Sequence, residues 1–127
     1  MPTHEQHIAQ AEHNENTLVF WSKQDKQAEF SDWYVTISFY ASLHYFEAMI
    51  AIAKPTTAGG IIEHSPDHRT RNSTMRTDFN RIYGKYARLY QMSKVARYNC
   101  HIPNSHKWPL AEKYLADVKN ECGKLVS

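Results

Sequence analysis

The chain has 127 residues, 42% apolar, 13% aromatic and 22% charged, enough for one domain with a real core and unlike a disordered or low-complexity chain. Its two cysteines, Cys100 and Cys122, form no CxxC pair, so the expectation is a reducing, cytoplasmic setting, and the polar start MPTHEQHIAQ does not read as a secretory signal. The net charge of +2 conceals an acidic first half and a basic run, with eight basic residues against the single Asp78 between Arg69 and Arg97, a first pointer to an anionic partner.

Helix punctuation recurs along the chain, and no segment alternates with period two for long enough to be a strand. Thr3 and Gln6 stand at capping-box spacing, and Ile8, Ala11, Leu18 and Trp21 follow on one helical face. A second helix is predicted from an N-cap at Ser31, with Asp32 against its dipole, to the residues before Pro55. It is apolar almost all round and approaches membrane-spanning length. Thr36, Ser38, Ser42, His44 and Glu47 interrupt it, so no membrane is expected and it reads as the central helix of a bundle.

A loop with Gly59 and Gly60 follows, and Ser65, Pro66 and Asp67 then form a helix start. From there to about Tyr98, Met75, Phe79, Ile82, Tyr86 and Leu89 recur at steps of three and four. The poor helix formers between Ser73 and Asp78 favour two helices over one. After a second loop, the last helix is predicted from about Trp108 to Cys122. Leu110, Tyr114, Leu115 and Val118 lie on its inner face and Gly123 is its stop. The expectation is all-α: one domain over residues 1–127, an antiparallel four- to five-helix up-and-down bundle.

Three groups of residues carry chemistry. Thr36, Tyr40, His44 and Glu47 form a polar stripe on the greasy second helix. Such a stripe either satisfies itself and fixes helix register, or it builds a site. His64, His68 and Arg69, with Arg71, surround a helix N-terminus, a setting that attracts anions. His64 and His68 have the spacing of two metal ligands, but Ser65-Pro66 puts His64 ahead of the helix. In the third group Arg81, Lys85 and Arg88 share a face and Tyr83, Tyr86, Tyr90 and Tyr98 are interleaved. The pattern fits either a single-strand binder or an amphipathic helix whose arginines meet the acidic first helix. No GxSxG, P-loop, GxGxxG or zinc-finger spacing is present.

The segments DWYVTISFYASLHYFEA and EHSPDHR, followed by the Tyr86–Tyr98 stretch with its LY and ARY elements, resemble small proteins of the HEPN (higher eukaryotes and prokaryotes nucleotide-binding) superfamily. The likeness covers about half of the chain. It implies a helical bundle, commonly a homodimer, that binds nucleotide or RNA without a cofactor. Some members are metal-independent endoribonucleases or toxin modules beside a nucleotidyltransferase partner, and others bind without cleaving. The ribonuclease members carry Arg, four to six residues, then His. Here Arg97 and His101 are separated by three residues, so the motif is not intact. The resemblance casts His44, Arg97 and His101 as acid–base and charge-stabilising residues. Tyr40, Glu47, His64, His68, Arg69 and Tyr98 become ligand contacts. Two other classes compete. One is a metal-binding bundle resembling the DNA-damage-inducible four-helix proteins, with His44, Glu47, His64 and His68 as ligands. The other is a non-catalytic dimeric partner protein whose polar stripe only sets register.

Overall fold

The computed structural model describes residues 2–53, 80–98 and 107–126. They form four helices: α1 (His4–Lys23), α2 (Ser31–Ala53), α3 (Asn80–Tyr98) and α4 (Lys107–Val126). The expected all-α bundle is what the chain forms, with no strand among the described residues. The favoured break between Ser73 and Asp78 lies outside the described residues, as do the Gly59–Gly60 loop and the helix start at Ser65.

Local chemistry sets the first hairpin. Thr3 accepts from the Gln6 amide at 3.2 Å, and the Gln6 side chain returns the bond to the Thr3 amide at 2.8 Å, closing the capping box that the spacing predicted. At the other end, the Asp25 N–H bonds Ser22 O and the Lys26 N–H bonds Trp21 O, both at 3.1 Å. This is a Schellman termination, and it puts Asp25 at φ 56°, a left-handed position that glycine fills without steric cost and aspartate tolerates.

The contacts that fix the bundle give each helix its direction. His7 meets His44 while Trp21, near the end of α1, meets Phe30 just ahead of α2, so α1 and α2 are antiparallel. Tyr40 meets Arg97 while Phe46 meets Tyr86, so α2 and α3 are antiparallel. Arg81 pairs with Glu121 and Lys85 with Asp117, so α3 and α4 are antiparallel too. Tyr34 reaches Glu112 from near the start of both helices, which makes α2 and α4 parallel. The described helices therefore alternate up and down, and α2 packs on all three others. It is long and apolar enough to span a membrane, but its apolar surface is largely buried within the bundle.

The core centres on α2. Val35, Phe39, Phe46 and Met49 are fully buried with Tyr86 and Leu89 of α3 and Val118 of α4. The Phe46 and Tyr86 rings meet edge-on at 4.6 Å, and Phe39 lies between Tyr86 and Tyr90. Aromatic pairs of this kind add about 0.5–1.5 kcal/mol to their burial. Two expectations for the last helix are corrected. It runs through Gly123 to Val126, because the ~1 kcal/mol helix penalty of one glycine is small beside the packing of a whole helix face. Leu110 is exposed, while Ala111, Tyr114, Leu115, Val118 and Cys122 form the buried seam. Leu110 sits one residue, and so about 100°, off that seam.

Candidate functional site

The outer stripe of α2 is where the helix leaves its own core. Most α2 side chains are buried, yet Trp33 is exposed and Ile37, Tyr40 and His44 are half-buried. These four recur at steps of four, three and four, one face of a helix. α1 and α3 both pack on α2, and each supplies one side chain to this stripe.

From α1 comes His7, buried, with its Nδ1 3.0 Å from Nδ1 of His44 and the two rings 5.3 Å apart. For that contact to be a hydrogen bond, one Nδ1 carries the proton and the other accepts it. The contact therefore couples the tautomers of the two rings and orients His44, as a second group commonly does for an acid–base histidine. A cleft of about 460 Å³ opens beside the pair, lined by Pro2, Gln6, His7, Gln10 and His44.

From the last turn of α3 comes Arg97. Its Nη1 donates to the Tyr40 hydroxyl at 2.9 Å, and its Nε and Nη2 donate to the carbonyl and hydroxyl of Ser93, each at 3.3 Å. The guanidinium also lies over the Phe39 and Tyr40 rings, 5.6 and 5.5 Å from their centroids. A planar fork held this way is preorganised for phosphate or carboxylate in a way that a lysine is not. Tyr40, which holds the guanidinium, and His44, which meets the second imidazole, are one helical turn apart on α2, about 6 Å along the axis. A smaller cleft of about 180 Å³ opens on the far side of Arg97, lined by Asp32, Trp33, Thr36, Ala96 and Arg97.

Of the residues expected to act, the structure thus brings Tyr40 together with Arg97 and places His44 one turn from Tyr40 on the same face of α2. Glu47 is buried one turn further along α2. Thr36, part of the expected stripe, turns back to the Asp32 carbonyl at 2.8 Å. His64, His68, Arg69 and His101 lie outside the described residues, as does the side chain of Tyr98. His7 was not expected. Its signal was its place at the start of the run that holds Ala11 and Leu18, a histidine on an apolar seam.

The basic face of α3 does not extend the site. Arg81 and Lys85 pair with Glu121 and Asp117 of α4, at 3.9 and 3.1 Å, and Arg88 donates to the Tyr114 hydroxyl at 3.1 Å. The expectation that these residues face the acidic first helix is corrected. Their partners are on α4, and Lys85 holds the Asp117 carboxyl below the usual carboxylate range. Tyr86 is fully buried, and Tyr83 and Tyr90 pack against the core, so this segment is an amphipathic helix rather than an exposed stacking surface.

A cleft of about 550 Å³ between α1, α2 and α4 has Glu15, Tyr34, Glu112 and Lys119 on its walls. Its groups are committed to one another. Tyr45 donates to Glu15, Lys119 pairs with Glu15 at 3.3 Å, and Tyr34 donates to Glu112 at 3.0 Å. Burial, reinforced by these carboxylates, pushes both phenols well above their ordinary range, which keeps them neutral donors. This cleft is a set of helix ties and is less suited to an anion than the Arg97 side. Among the described residues, no three histidine, cysteine or carboxylate side chains converge as a metal site.

No family model matches the chain, and searches of curated proteins and of solved structures also return no match.

Proposed function

We propose that this chain is a HEPN-like nucleotide- or RNA-binding protein whose ligand lies along the outer stripe of α2 between α1 and α3. One observation carries the reading: on one face of α2, Tyr40 holds an arginine fork and His44, one helical turn further along the helix, meets a second histidine. Phosphate needs a fixed cation, and an oriented imidazole on the same helix face adds a hydrogen-bond donor or a base.

The same arrangement supports metal-independent strand scission. The ribose 2′-hydroxyl next to the phosphate would lose its proton to His44 and attack phosphorus. The bond to the 5′-oxygen breaks and that oxygen takes up a proton, which leaves a 2′,3′-cyclic phosphate. Arg97 would neutralise the charge that builds on the non-bridging oxygens, and His7 would hold the His44 ring in place.

The test is fluorescence anisotropy with a short labelled single-stranded RNA, at low and at high salt, with chelator present. Binding that weakens with salt, and that falls at least about tenfold in Arg97→Ala, is expected. His44→Ala should abolish any cleavage while leaving most of the binding. No binding by the unaltered protein at low salt overturns the reading.

A further inference from the structure

We infer that Trp33 is the platform on which the ligand's base stacks, so that the ligand class is a nucleotide with an unpaired base rather than a duplex or a bare phosphate. This rests on the reading above and adds an element to it.

Of the three tryptophans, Trp21 and Trp108 pack against the core, whereas Trp33 is 57% exposed. Its neighbours on α2 behave differently: Tyr34, Phe39, Tyr45 and Phe46 are all buried. An indole left in water forgoes much of the large burial a tryptophan can provide. Here it is set beside a cation, because Trp33 and Arg97 line the same cleft. Asp32 and Trp33 lie about two helical turns before Tyr40, the residue that holds Arg97, which gives the cleft two ends. Arg97 marks one end for phosphate. Asp32, next to Trp33, repels phosphate from the other end and offers acceptors to the N–H groups on the edge of a base such as guanine. An aromatic face, a fixed guanidinium and a carboxylate at the base end form a site for a single nucleotide unit, and stacking of this kind requires a base outside a duplex.

The full-length protein, titrated calorimetrically with guanosine 5′-monophosphate and with ribose 5-phosphate, separates the two layers of the argument. The nucleotide should bind about 5- to 150-fold tighter, the span expected for one base on one aromatic. Trp33→Ala should erase that difference and Trp33→Phe should keep most of it. Because Trp33 is exposed, both variants should fold, and circular dichroism checks this. Equal affinity for the two ligands, unchanged in Trp33→Ala, overturns the stacking role and leaves the phosphate site standing. Failure of both ligands to bind overturns the phosphate site and the stacking role together. If Trp33→Ala instead shifts the sedimentation coefficient from dimer to monomer and leaves affinity unchanged, the indole is a contact between copies and the inference is wrong.

Discussion

The bond between Arg97 and Tyr40 can be weighed on its own, because replacing Tyr40 with phenylalanine removes the hydroxyl and keeps the ring under the guanidinium. A double-mutant cycle of Tyr40→Phe and Arg97→Ala then isolates the hydrogen bond from the cation–π contact. A hydrogen bond to a charged group contributes roughly 1.5–3 kcal/mol. Both side chains are half-buried, so water competes for each, and the expected coupling is about 1–1.5 kcal/mol. Arg97→Ala alone should cost more, about 2–3 kcal/mol, since it also removes the longer bonds to Ser93 and contacts with two rings. Urea unfolding of the four proteins gives all the terms. A coupling below about 0.3 kcal/mol, within ordinary additivity, would refute the claim that Tyr40 fixes the fork.

Three further outcomes are expected. The His7–His44 contact of 3.0 Å ties α1 to α2, so His7→Ala should lower stability by about 1 kcal/mol in urea unfolding, and an unchanged midpoint contradicts the pairing. Asp25→Gly should stabilise the chain by about 0.5–1 kcal/mol in thermal or urea unfolding, because Asp25 holds φ 56°; a loss of stability there speaks against the Schellman turn. Burial pushes the Cys122 thiol up to about 11 from an ordinary 9.0, a roughly hundredfold smaller thiolate fraction at neutral pH. In a Cys100→Ser background, Cys122 should therefore resist a disulfide reagent until urea is added, and prompt labelling of the native protein would contradict its burial.

Features that depend on a few adjacent residues were legible in the sequence. The Thr3–Gln6 box and the apolar series Ile82, Tyr86 and Leu89 have their meaning within one or two helical turns. Tyr40 and His44 could be seen to share a face for the same reason. What required the fold was the register between helices. The spacing of His7 to Ala11 and Leu18 puts it on the apolar seam of α1, but only the antiparallel register of α1 on α2 sets it opposite His44. The basic run read as a pointer to an anion, but in α3 two of its members sit four apart opposite Asp117 and Glu121, which are also four apart, and the charges answer one another across the bundle. Trp33 was one more aromatic residue in an apolar run. Its distinction is an exposure that only the packing of α2 reveals.

The proposed function puts the nucleotide on the outer stripe of α2. Amide and side-chain NMR of the labelled protein, titrated with guanosine 5′-monophosphate, addresses it directly. Shifts are expected to concentrate at the Trp33 indole, Thr36, Tyr40, His44 and the Arg97 guanidinium, with the Glu15–Glu112 cleft undisturbed. Shifts centred on that second cleft, or none along α2 at saturating ligand, would contradict it.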